Sequence, residues 1–275
     1  MRIIDTHVHL YPNEVSWRFR IWIEKKLKQK LSIEVEWDKA LKKLRELGVE
    51  SVFNLTHSTT PDDVELLNRW QKYLKDKYGF VTFGAFHPKR DIDVLIDAFK
   101  RDEIDGLKLH PSVQKFYPNS REAIEIYEVL EEFKKPLYIH AGWFPDNGYE
   151  YSSPEMYETL VQCYDFPVVI AHMILGKCKE ITRFLEERKN VYTDTSSILV
   201  EIEAISLNGV KVQMYCEYIR DVIELFPERV MFGSDIPFVW WSVEETIQKL
   251  KEICGDEVER ITYLNAKRFI EKHIR

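Results

Sequence analysis

The chain has no cluster of cysteines. Its four, Cys163, Cys178, Cys216 and Cys254, stand singly among 275 residues without any Cys-x-x-Cys, which excludes a zinc finger or a disulfide scaffold and makes a reducing cytoplasm the expected setting. Long apolar runs are missing too. No stretch reaches the length of a membrane span, and the first residues lack a basic segment followed by an apolar one, so neither a membrane anchor nor a secretory leader is expected. Positive charge is scarce, with 39 Lys and Arg against 46 Asp and Glu and a net charge of −7, which argues against nucleic acid as a partner. No Gly-x-Gly-x-x-Gly follows the first apolar run, so a dinucleotide-binding open sheet is disfavoured, and no low-complexity linker divides the chain.

What is present is enough apolar material for a sizeable core, 45% hydrophobic and 13% aromatic, arranged in a repeating order. Eight short runs rich in Val, Ile and Phe read as strands: 3–7, 51–55, 80–85, 106–109, 136–140, 167–172, 191–195 and 230–234. Between them lie segments of helical periodicity, such as Trp37 to Leu47, which stops at Gly48, and Arg121 to Phe133. Eight alternations in a chain of this length predict a single α/β domain over 1–275, a (β/α)8 barrel of the TIM type. The connection from Tyr11 to about Val35 is longer than a usual βα loop. It carries Trp17, Phe19, Trp22 and Ile23, and reads as an extra loop or helix either over the barrel mouth or against its wall.

Residues 5 to 10 read Asp-Thr-His-Val-His-Leu, and strand alternation would put His7 and His9 on one face with Asp5 below them. Such a pair serves as metal ligands or as ordinary strand residues. The other histidines bear on that choice. His57, His87, His110, His140 and His172 also fall at or just past the end of a predicted strand, and only His273 does not. In a barrel that end carries the chemistry. The eighth run closes in Gly233-Ser234-Asp235-Ile236-Pro237, where Asp235 caps the next turn or, because first and eighth strands are neighbours in a closed barrel, completes a site with His7 and His9. Asp194 and Thr195 end the seventh run and read more simply as turn caps. Trp143, Trp240 and Trp241 read as pocket walls or as core.

With His7-Val8-His9, Gly106-Leu107-Lys108-Leu109-His110-Pro111, Ile139-His140-Ala141-Gly142, Ile170-Ala171-His172 and Gly233-Ser234-Asp235 on successive strands, the sequence resembles the amidohydrolase superfamily. Its closest look is to the amidohydrolase-related branch, which contains metal-dependent hydrolases and the aminocarboxymuconate semialdehyde decarboxylase group. The resemblance implies that His7, His9, His140 and Asp235 hold a divalent metal, zinc first, with manganese or iron as alternatives. It implies that His172 binds a second metal or the water on the first. Lys108 either bridges two metals as a carboxylated lysine or stands as a free cation facing an anionic substrate.

Neutral imidazoles and a carboxylate suit a metal that activates water, with Asp235 moving the proton and His172 steadying developing charge. Lys108, His110, His57 and Trp143 are the candidate substrate contacts. The reading that follows is a hydrolase acting on a C–N or ester bond of a small molecule. A carboxy-lyase using the same ligands is the alternative. A homodimer is the one protein partnership the resemblance suggests.

Overall fold

A computed structural model describes residues 1–274. Eight parallel strands follow one another around a barrel: β1 (Ile3–Val8), β2 (Val49–Leu55), β3 (Val81–Ala85), β4 (Gly106–Leu109), β5 (Leu137–Ile139), β6 (Val168–Ile170), β7 (Val191–Asp194) and, after a two-stranded hairpin of β8 (Glu203–Ile205) and β9 (Lys211–Gln213), β10 (Val230–Met231). The barrel closes where Thr6 N–H meets Phe232 C=O at 2.9 Å, Asp235 N–H meets His7 C=O at 2.8 Å and His9 N–H meets Ile236 C=O at 2.8 Å. The expected barrel is therefore what the chain forms.

Several strands are shorter than their apolar runs. Pro136 and Pro167 have no N–H to donate and stay outside β5 and β6, yet their carbonyls accept from Leu107 and Leu137 at 2.9 and 2.8 Å. Residues 232–235 leave the regular ladder: the Phe232 N–H turns to the Ile261 carbonyl at 3.0 Å, and Asp235 sits in the left-handed region, at φ 68°.

The periodic segments form the outer helices: α1 (Asn13–Leu27), α2 (Trp37–Glu46), α3 (Val64–Tyr78), α4 (Asp93–Lys100), α5 (Pro111–Gln114), α6 (Arg121–Phe133), α7 (Glu158–Cys163), α8 (Ile181–Glu187), α9 (Ile219–Leu225), α10 (Val243–Cys254) and α11 (Asn265–His273). Helix α2 shows the logic: Ala40, Leu41 and Leu44 form its buried stripe, and the chain leaves it through Gly48 at φ 81°. Inside the barrel Ile4, Phe53, Phe83, Tyr138, Val169 and Met231 pack on one another and on Phe269 of α11. Asn265 of α11 donates to the carbonyls of Pro227 and Val230, so this helix closes the amino end of the strands and leaves the carboxyl end open.

One expectation is corrected. Cys178 and Cys216, read as isolated, form a disulfide with Cα atoms 5.9 Å apart across 38 residues. Spacing along the chain hid the pair because the hairpin after β7 folds back onto the loop after β6. Helix α1 fills the long first connection, and Phe19, Trp22 and Ile23 face the barrel mouth while Trp17 is exposed.

Candidate metal centre at the barrel mouth

The first two ligand candidates owe their placement to an irregularity. Asp5 pairs with Val52 and Val8 with Asn54, three steps along β1 against two along β2. That bulge lets Ile4 pack in the interior while the His7 ring also turns inward, 5.2 Å from Tyr138 and 4.7 Å from His172. Strict alternation would have put the two on opposite faces. Asp5 ties β1 to the closing turn instead, accepting from the main-chain N–H groups of His7 at 3.1 Å and Ser234 at 3.0 Å. Burial lifts its pKa to about 7. Gly233 makes room for the turn, since a Cβ there would lie 2.7 Å from that of His7.

The hydrogen bonds of the histidines set their tautomers. His9 Nδ1 lies 2.7 Å from the Leu55 carbonyl, which only accepts, so the proton is on Nδ1 and Nε2 keeps its lone pair. His7 Nδ1 lies 3.0 Å from Asp194 Oδ2, with the same consequence. His172 Nδ1 meets the Ser196 hydroxyl at 2.7 Å and the Ser196 carbonyl at 3.2 Å, while that hydroxyl itself donates to Asp194. The free Nε2 edges of His9 and His7 then lie 3.1 and 3.7 Å from Asp235 Oδ1, and Asp235 Oδ2 accepts from Ser197 at 2.6 Å. His7, His9 and Asp235 present ligand atoms close enough together for one cation, as do His7, His172 and Asp194; His140 belongs to neither group, and its buried Nε2 has no hydrogen-bond partner. Two imidazoles and a carboxylate are a donor set that fits a divalent metal.

The electrostatics suit ligation. Burial, then the charge of Lys108, lowers the His7 pKa to about 3, and burial likewise lowers His140 and His172, so these rings are neutral. Burial alone would raise the Asp235 carboxyl, but the surrounding His7, His9 and His172 hold it below the usual carboxylate range. Lys108 is fully buried, with Nζ 5.0 Å from the centre of the Tyr138 ring and no hydrogen-bond partner. Burial depresses its pKa to about 8, against the pull of Asp194 and Asp235. Several site residues hold left-handed backbone, with φ 58° at His172, 62° at Ser197 and 68° at Asp235, a strain that clusters where geometry is imposed by function.

Six histidines form a closed circuit of rings at this mouth. Centroids step from His9 to His7 (5.0 Å), His172 (4.7 Å), His140 (5.0 Å), His110 (4.0 Å), His57 (4.9 Å) and back to His9 (6.2 Å). Above them opens a cleft of about 810 Å³ with apolar walls that include Phe19, Trp22, Trp143, Phe144, Trp240 and Trp241. Trp143 spends its indole N–H on the Val210 carbonyl at 3.0 Å. His57 is held by the Tyr11 hydroxyl at 3.0 Å, and its Nε2 is unpartnered.

His87 and Thr195 lie outside the cleft lining; His87 Nδ1 accepts from the Lys89 N–H at 3.2 Å, and the Thr195 hydroxyl accepts from Gly233 N–H at 3.4 Å. His273 is at the far end of the barrel against Tyr192. Asp194, read as a turn cap, is the buried hub that binds His7, Tyr138 and Ser196. It ends its strand just as Asp235 ends the last run, and that shared position was the available signal. Ser196 and Ser197 carried none.

The family model described as Amidohydrolase (Amidohydro_2) matches residues 4–271. Among solved structures, an uncharacterized TIM-barrel protein from Bordetella bronchiseptica superposes with a TM-score of 0.76 at 17% identity, covering 98% of this chain and 99% of that one. A probable 2-pyrone-4,6-dicarboxylic acid hydrolase from Acinetobacter baumannii, solved with citric acid bound, gives 0.66 at 16% identity over 98% and 100% of the two chains. The 5-carboxyvanillate decarboxylase of Sphingomonas paucimobilis gives 0.66 at 14% identity over 100% and 99%. At these identities the likeness is one of fold. No curated protein matches the chain.

Proposed function

The chain belongs to the amidohydrolase family, whose members include hydrolases and decarboxylases, and from that premise we propose that it is a metal-dependent hydrolase of a C–N or ester bond in a small molecule. The whole of residues 1–275 is proposed as one such catalytic domain, working as a homodimer. His7, His9, His140 and Asp235 would hold the cation, zinc before manganese or iron, and His172 either a second one or the reacting water. Bound there, the cation supplies a Lewis acid that makes water acidic near neutral pH and polarises the scissile bond.

The observation that carries the reading is the position of Asp235. One oxygen accepts from Ser197 and the other lies against the Nε2 edges of His7 and His9, so the carboxylate is positioned to take a proton from an attacking water and return it to the leaving group. In the carboxy-lyase alternative the same side chain would deliver a proton to carbon. Lys108, unmodified, meets an anionic group of the substrate, with His110, His57 and Trp143 around its body. That same cation supports the second reading, in which the anionic group is a carboxylate lost as carbon dioxide.

Incubation with a panel of amides, esters and lactones of aromatic acids in water enriched in oxygen-18 distinguishes the two. Label in the product carboxylate supports hydrolysis. Release of carbon dioxide from the free acids, with no label gained, overturns it in favour of the carboxy-lyase.

A further inference from the structure

The cleft over the histidines does not end at its own walls. A second chamber, open to solvent, adjoins it and shares five lining residues with it: Phe19 and Trp22 of α1, His57, Val113 and Phe144. The Trp22 and Phe144 rings stack at 5.6 Å along this shared boundary, so the join between the two spaces is aromatic. The far side of the second chamber is charged, with Arg18, Lys115, Asp63 and Asp146.

These four charges are not equally free. Asp146 is paired with Lys26 at 2.9 Å, and Asp63 accepts from the Thr59 hydroxyl at 3.0 Å. Arg18 and Lys115 are exposed and engage no acidic partner among the described residues. Against them stands the charge of Asp63 alone, so two cations without an acidic partner, beside the histidine cleft of a protein of net charge −7, point to an anion.

We propose that the second chamber is the distal part of the substrate site, and that Arg18 and Lys115 receive an anionic group carried on the substrate away from its scissile bond. The inference rests on the catalytic reading only for the near end, where Lys108 meets the other anionic group. The substrate class is then a molecule with anions at both ends and an apolar body between them. Arg18 and Lys115 are specificity residues and touch no reacting atom.

The test is a calorimetric titration of the protein as purified with straight-chain dicarboxylates of four to ten carbons and the matching monocarboxylates. At an optimal length the dicarboxylate binds at least about tenfold tighter than its partner, and Arg18→Gln with Lys115→Gln abolishes that advantage while monocarboxylate binding is retained. No advantage at any length, an advantage unchanged in the double variant, or no dicarboxylate binding at all overturns the proposal. Lys108→Met separates this from the catalytic reading. If that variant is silent and the purified protein contains no metal, the catalytic reading fails, while an Arg18- and Lys115-dependent advantage still stands.

Discussion

Asp194 holds His7 through one oxygen and, through the hydroxyl of Ser196, the ring of His172. Replacing it with Asn keeps the shape but offers a donor where Nδ1–H needs an acceptor. Asp194→Asn is therefore expected to weaken metal binding by about 10- to 100-fold, measured by competition with a chelator, as carboxylates behind histidine ligands generally do. Asp235→Asn, compared with the parent at equal metal content, is expected to lower kcat by about 10² to 10⁴, measured on any substrate the labelled-water experiment yields. Both residues end a strand, and the sequence alone does not separate an aspartate that caps a turn from one that aims a ligand. The histidines were more legible, because seven at strand ends exceed what packing explains. His87 was the exception: it follows a strand end yet does not line the cleft.

The elements that shape the mouth are those with the weakest periodic signal. Helix α1 buries only Ser16 fully and is fastened by Lys26 to Asp146 and by Trp22 on Phe144. The hairpin β8–β9 is tied back by Cys178–Cys216, whose closed loop of 38 residues implies a stabilisation of about 2–4 kcal/mol. The double variant Cys178→Ser, Cys216→Ser should melt several degrees lower, as should the parent under a reducing agent, in thermal unfolding followed by circular dichroism. At the other end of the barrel, burial and then Lys272 lower the His273 pKa to about 4. Unfolded, this histidine takes a proton near 6.5. Above that pH it is neutral in both states; as pH falls from 6.5 towards 4 the unfolded chain gains the proton first, and stability is lost. His273→Asn removes that loss, so the stability difference between parent and variant should shift in the variant's favour between pH 7 and pH 4.5 in parallel denaturant titrations.

At the scale of the whole molecule, the cation would clamp together side chains from β1, from the end of β5 and from the closing turn after β10. A ligand held only by the folded state at about a hundredfold over its Kd adds about 2.7 kcal/mol. Removing the metal with a chelator should lower Tm by several degrees and restoring zinc should recover it, read by scanning calorimetry. The disulfide removes the cysteine-based argument for a reducing compartment, while no helix among the described residues is long and apolar enough to cross a membrane.

Eight alternating units, and the placing of seven histidines and Asp235 at strand ends, follow from patterns a few residues long, and barrel closure is the compact arrangement those units allow. The β1 bulge, the role of Asp194, the chamber beyond Phe144 and the Cys178–Cys216 bond depend on which distant segments meet once the barrel has closed. Periodicity records a segment's own buried face, not the partner that covers it, so these features became visible only in three dimensions.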